Sequence, residues 1–149
     1  MRSISLAAAG ALALVGCSTR TPRLALDGLD SGLDAFLAAH AVPAGQPIRA
    51  DQVGRVAGAS YHLVQACGSE RPHRHASHDL TALVLRGRGT LMRDGGRIDL
   101  APGDTAVVAR GAPHWFANAG RGCAVALVVF APPLDAPDNV PVDSPEGGR

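Results

Sequence analysis

From Val53 onward the chain is a succession of short apolar segments, each ended within a few residues by glycine, proline or aspartate. The segments predict strands at 59–66, 80–86, 89–93, 97–100, 105–108, 114–118 and 124–130. No helical pattern of ten residues separates them, so a parallel sheet of βαβ units is not expected. The pattern predicts an all-β domain, an antiparallel sandwich or barrel, over residues 53–132.

Length and composition agree with one such domain. The 149 residues suffice for a single core, and the 18 glycines and 11 prolines are scattered, as expected for many turns. Charged residues make up 18%, aromatic residues 3%, and the formal net charge is +1. Basic residues are not interleaved with aromatic ones, so no nucleic-acid partner is expected.

Two flanking segments differ from the predicted domain. Residues 17–52 are expected to form a tether, in which apolar residues at helical spacing predict a short helix around Leu33–His40. The stretch Pro43–Pro47 would end that helix. The tail, 133–149, is rich in proline, aspartate and glycine and is expected to wrap the surface or fray.

Residues 1–16 have the features of a signal peptide. A basic start is followed by an apolar run, Ile4 to Val15, that is too short to span a bilayer. Its end, Leu14–Cys17, resembles the lipobox of bacterial lipoproteins. This implies a lipid on Cys17 as the sole membrane contact, and Ser18 implies an outer-membrane location facing the periplasm. The alternative is an ordinary signal peptide in which Cys17 occurs by chance.

Three histidines are candidate metal ligands. His73 and His75 are two residues apart, and on an extended strand both imidazoles would point to one face, about 7 Å apart. A histidine pair at this spacing also occurs on ordinary surfaces. His114 strengthens the hypothesis because it begins another predicted strand.

Together these segments resemble the two motifs of the cupin superfamily, which are small jelly-roll β-barrels. The first motif, G-x5-H-x-H-x3/4-E-x6-G, is represented by Gly68, His73, His75 and Gly87, with the first spacing one residue short. The second, G-x5-P-x-G-x2-H-x3-N, is represented by Gly103, Gly111, His114 and Asn118. The resemblance covers about half of the chain and implies a single cupin-type barrel.

The glutamate ligand of the family would fall on Leu80, which cannot bind a cation. Strand parity favours His78 as the replacement, whereas a bulge would favour Asp79. The resemblance thus implies one divalent transition metal bound by His73, His75, His114 and either His78 or Asp79. A set that includes the carboxylate would suit Fe, Mn or Ni, and an all-imidazole set would suit Fe, Cu, Ni or Zn.

Two functions from different classes remain open. One is a metal-dependent oxygenase or isomerase that acts on a small molecule. The other is a non-catalytic small-molecule or metal-binding envelope protein with a degenerate site, which Leu80 and the lack of an identifiable general base favour. The resemblance also implies a possible homodimer. Because it would make the two strands neighbours, it implies a possible Cys67–Cys123 disulfide, with two buried thiols as the alternative.

Overall fold

The structure, a computed structural model, describes residues 21–26 and 28–143. Within these residues the chain forms one helix and twelve strands. In chain order they are β1 Arg23–Leu26, β2 Leu29–Gly32, α1 Leu33–Ala39, β3 Ile48–Val56, β4 Ala59–Ala66, β5 His73–His75, β6 Asp79–Arg86, β7 Gly89–Arg93, β8 Gly96–Leu100, β9 Thr105–Val108, β10 His114–Asn118, β11 Ala124–Ala131 and β12 Asn139–Pro141.

Two five-stranded antiparallel sheets form a jelly roll, which confirms the predicted all-β class. One sheet has the order β12-β5-β10-β7-β8 and the other β3-β4-β11-β6-β9, while β1 and β2 form a separate hairpin. Aliphatic side chains from both sheets meet between them, since each strand directs alternate residues inward. This inner core contains Val84, Leu91, Leu100, Ala106 and Val108.

The hairpin between β7 and β8 shows how local sequence sets the register. Arg93 pairs with Gly96, which leaves Asp94 and Gly95 as a two-residue loop. Both loop residues have positive φ, 53° and 74°, as a type I′ turn requires. Asp-Gly, a pair typical of type I′ turns, therefore occupies the two positions that require positive φ.

Within the segment for which the sequence predicted a tether, β1, β2 and α1 form a packed layer. The helix, Leu33–Ala39, lies close to its predicted position, and Leu33 and Phe36 are buried in a cluster with Leu63 of β4. Leu63 lies on the outer face of β4, which points away from the other sheet and from the cavity. Tyr61 and Leu63 make the outer face of β4 apolar. The hairpin and α1 cover these side chains.

The tail adds an edge strand that the sequence did not predict. β12 pairs with β5, in the register Asn139 to His75 and Pro141 to His73. β5 would otherwise be an edge strand with unpaired backbone groups, so this pairing satisfies them. The last described strand, β12, therefore lies next to the strand that carries His73 and His75.

Cys67, after β4, and Cys123, before β11, are joined by a disulfide. The predicted signal peptide, the lipidation residue Cys17 and positions 144–149 lie outside the described residues. In the part of the chain that is described, no helix has the length and apolar character needed to cross a membrane.

Candidate metal centre

Three histidines converge at one end of the space between the sheets. β5 directs His73 and His75 inward and leaves Arg74 exposed, and His73 is the register partner of His114 at the start of β10. All three side chains are buried, and their ring centroids lie 4.5 to 5.3 Å apart. Each offers one ring nitrogen within 4.8 Å of the others, a grouping that could hold a metal ion.

Hydrogen bonds determine which ring nitrogen of each histidine is available. Nδ1 of His73 lies 2.9 Å from the Arg71 carbonyl oxygen, and Nδ1 of His114 lies 3.0 Å from that of Ala112. Because a carbonyl oxygen only accepts, each Nδ1 carries the proton and donates it. In the neutral ring with its proton on Nδ1, the lone pair is on Nε2, and this is the form of imidazole that binds a metal.

His75 is oriented in the same way by a carboxylate from the tail. Its Nδ1 donates to Oδ1 of Asp138 at 2.8 Å, while the other oxygen of Asp138 accepts from the Ser77 backbone N–H at 3.0 Å. A carboxylate behind a ligating imidazole fixes its tautomer and raises its basicity. No motif pointed to Asp138, which is 63 residues from His75 in the chain.

The structure places the two expected replacements for the family glutamate outside the cluster. His78 is buried, but its Nδ1 lies 2.5 Å from Oδ2 of Asp138 and its Nε2 lies 3.3 Å from the Pro133 carbonyl oxygen. Both nitrogens thus contact oxygens of the tail, and His78 is not part of the histidine grouping that could hold a metal ion. Asp79 lies on the opposite face, where its carboxylate binds the Arg110 guanidinium at 2.7 Å.

Leu80 lines the same cavity as the three histidines. Strand parity therefore predicted the inward direction of position 80 and the burial of His78. It could not indicate that the tail supplies the partners of His78, because those contacts join residues about 60 positions apart.

Burial favours the neutral form of two of the three rings, His75 and His114. The pKa of His114 falls to about 4, chiefly because burial disfavours the charged ring, and repulsion from His73 and His75 adds to this effect. Burial also lowers the pKa of His75, and this outweighs the opposing attraction of Asp138. At pH 7 the lone pairs of both rings are thus available to a cation.

The cluster opens into a cavity of about 300 Å³ between the sheets. Most of its wall is aliphatic, with Phe116 and Phe130 as the aromatic contributions. The polar side chains on the wall are His62, Glu70, His73, His75, His114 and Asn139. His62 hydrogen-bonds Ser60 at 2.9 Å and is not part of the cluster.

Comparison with known proteins supplies the family. The Cupin domain family (Cupin_2) matches residues 60–130, the segment that contains the three clustered histidines. The chain contains a cupin domain. An uncharacterized protein of Aquifex aeolicus (strain VF5) is 42% identical to this cupin over 84 residues, which are 56% of this chain and 69% of that protein.

Two solved structures are similar to this cupin. TT1209 from Thermus thermophilus is 27% identical with a TM-score of 0.57, covering 65% of this chain and 94% of its own. An uncharacterized conserved protein with a double-stranded β-helix domain from Klebsiella pneumoniae is 19% identical with a TM-score of 0.61, covering 72% of this chain and 95% of its own. The Klebsiella similarity shows the fold alone.

Proposed function

We propose that this cupin is a metal-dependent enzyme that acts on a small, largely apolar molecule. The observation that carries the proposal is the set of three oriented imidazoles at the wall of an apolar cavity. Among zinc sites, structural ones usually have four protein ligands, whereas catalytic ones have three and leave a coordination position open. A site with three ligands beside a cavity of this size is of the catalytic type.

The residues fit a divalent transition metal. Three neutral imidazoles suit Fe, Cu, Ni or Zn, and such an ion supplies Lewis-acid chemistry at its open positions. The chain's own contribution is to hold each ring through its Nδ1 proton and to surround the open positions with aliphatic side chains that exclude water. Leu80 extends this apolar wall where the family has an acid.

Metal stoichiometry tests the ligand set. Purified protein, loaded with Co²⁺ or Zn²⁺ and dialysed, is expected to retain one ion per chain by elemental analysis. His75→Ala should lose the ion, because two imidazoles remain. His62→Ala is the matched control, since it removes a buried histidine of the same cavity that does not belong to the cluster. Full retention in His75→Ala would contradict the proposed site.

A second candidate is a non-catalytic binding protein, favoured by the replacement of the family acid by Leu80. An open coordination position distinguishes the two. Titration of the Co²⁺-loaded protein with imidazole should change the visible absorption if a position is open to exogenous ligands. An unchanged spectrum would indicate a closed site and favour the non-catalytic function.

We also propose a location in the bacterial cell envelope, with lipid on Cys17. The apolar run that ends at Cys17 supports it, and so does the Cys67–Cys123 disulfide, since disulfides persist in oxidising compartments. In a bacterial host, Cys17→Ser should move the protein from the membrane fraction to the soluble fraction. An equal membrane content in the variant would refute the lipid attachment. The homodimer stays a prediction.

A further inference from the structure

Glu70 is a carboxylate of the cavity wall that lies outside the histidine cluster. The segment that contains it runs antiparallel to β10: the Asn118 N–H donates to the Gly68 carbonyl at 3.1 Å, and the Glu70 N–H to that of Phe116 at 2.9 Å. These backbone bonds hold Glu70 beside Phe116, whose ring lines the same cavity. Among the described residues, Glu70 is the one acidic side chain on the cavity wall.

The two oxygens of this carboxylate have different surroundings. Oε2 accepts a hydrogen bond from the Phe116 backbone N–H at 2.8 Å. No donor among the described residues bonds to Oε1, yet no buried side-chain oxygen or nitrogen in that part of the chain lacks a partner. Oε1 therefore retains some accessible surface, and Glu70 is a lining residue of the cavity.

Burial leaves this carboxylate poorly solvated. Desolvation raises its pKa, and the bond from Phe116 and the attraction of His73 offset this only in part. A ligand that donates a hydrogen bond to Oε1 would offset part of the cost of burying the carboxylate. Glu70 is thus a strong hydrogen-bond acceptor of the cavity wall. Among the described residues, its Oε2 has a donor and its Oε1 has none.

The pairing with β10 also sets the separation between Glu70 and the cluster. Glu70 lies opposite Phe116, and His73 lies opposite His114, two residues further along the strand. Two residues on a strand span about 7 Å. A small molecule that touches a metal at the three histidines can therefore reach Glu70 with its other end.

Positive charge is missing from the cavity wall. The chain has 14 arginines and no lysine, and none of the described arginines lines the cavity. A carboxylate or phosphate at the Glu70 end of a ligand would meet a like charge and no counter-charge, which disfavours it.

We propose that Glu70 determines ligand specificity: the site takes a small apolar molecule that coordinates the metal with one end and presents a hydrogen-bond donor, an amine or alcohol, to Oε1 of Glu70 with the other. The part of this inference that concerns the metal-bound end of the ligand rests on the proposed function. The part that concerns Glu70 does not, because the apolar wall and the carboxylate are present without a metal.

Three N1-substituted imidazoles test the inference on Co²⁺-loaded protein: 1-(3-aminopropyl)imidazole, 1-propylimidazole and 3-(imidazol-1-yl)propionate. All three coordinate through N3 and differ at the far end, which is cationic, apolar or anionic. We expect the amine to bind most tightly and the acid least. Glu70→Gln should lower the affinity for the amine about tenfold or more relative to 1-propylimidazole, as expected for the loss of a charge-assisted bond.

Glutamine keeps a carbonyl oxygen for the Phe116 N–H, so the variant retains the strand contact. Asp94→Asn, in the exposed β7–β8 hairpin, is the matched control because it removes one negative charge outside the cavity. Equal affinities of the wild type and Glu70→Gln for the amine would overturn the role of Glu70 and leave the proposed function intact.

If none of the imidazoles changes the Co²⁺ spectrum, the proposal of an open metal position is wrong. The role of Glu70 is then tested on the metal-free protein. In EDTA, NMR titration should show that benzylamine binds more tightly than benzoate, and Glu70→Gln should abolish that difference. A preference that persists in the variant would overturn the inference.

Discussion

Asp138→Asn removes the charge that joins the tail to the metal centre. The carboxylate accepts hydrogen bonds from Nδ1 of His75, Nδ1 of His78 and the Ser77 N–H. Although burial by itself raises the pKa of Asp138, the bonds from His78, Ser77 and His75 outweigh it and lower the pKa from 3.8 to about 2. An asparagine amide turned either way presents its NH₂ to one of these donors.

The magnitude follows from the pKa. A carboxyl whose pKa falls by nearly two units on folding stabilises the native state by about 2 kcal/mol, at roughly 1.4 kcal/mol per unit. Because the native pKa is the lower one, this stabilisation is complete above about pH 4 and is lost as the pH falls towards 2. The side chain is only 13% exposed, so solvent screens the interaction little.

Urea denaturation of metal-free wild type, Asp138→Asn and Asp135→Asn at pH 7 and at pH 3 measures this contribution. We expect Asp138→Asn to lose about 2 kcal/mol at pH 7 and the deficit to narrow at pH 3. Asp135 lies on the same tail but is 76% exposed, so its ion pair with Arg55 should contribute less than about 0.5 kcal/mol. The metal affinity of Asp138→Asn should also fall, by about 10- to 100-fold.

The reasoning is refuted if Asp138→Asn unfolds within about 0.5 kcal/mol of the wild type at pH 7, since the network would then contribute no net stability. A deficit of equal size at pH 7 and pH 3 would show that the loss comes from packing. An equal deficit in Asp135→Asn would show that the assay reports the charge of the tail as a whole.

Other positions give independent predictions. Leu63→Ala should destabilise by about 2–5 kcal/mol in urea denaturation because Leu63 is fully buried, whereas Val107→Ala, at a side chain 55% exposed, should stay within about 0.5 kcal/mol. Reducing Cys67–Cys123 removes a link between residues 56 apart and should cost about 4 kcal/mol, measured by denaturation with and without reductant. Leu80→Glu should increase the Zn²⁺ affinity in calorimetry, since position 80 lines the same cavity as the cluster; an unchanged affinity would show that it lies out of reach of the ion.

The strands of the domain could be predicted because they carry local signals. Seven strands were placed from apolar segments and turn residues, and the observed strands at those sites differ by at most one residue at either end. The three clustered histidines could also be located, since two of them share one face of a strand. The resemblance to the cupin motifs then supplied His114, which the structure pairs with His73.

The carboxylates of the site could not be predicted from such signals. Strand parity predicts the face on which a side chain lies, and His78 is indeed buried. Parity does not predict which residues from elsewhere in the chain contact that side chain. Asp138 meets His75 across 63 residues, and the tail that carries it has no apolar period. Glu70 lies before the first predicted ligand in a segment that pairs with β10 only through an isolated bridge at Ser69.

The charges of the site connect these two carboxylates to the replacement at position 80. Three neutral imidazoles leave the full charge of a divalent ion, and Leu80 removes the acid with which the family reduces it. Asp138 cannot compensate, because its oxygens are bound by His75, His78 and Ser77. An ion in this site therefore favours an anionic donor atom from the ligand, while Glu70 favours a hydrogen-bond donor about 7 Å away. The two preferences point in opposite directions along one ligand, so the cavity would fix the orientation of the ligand as well as its class.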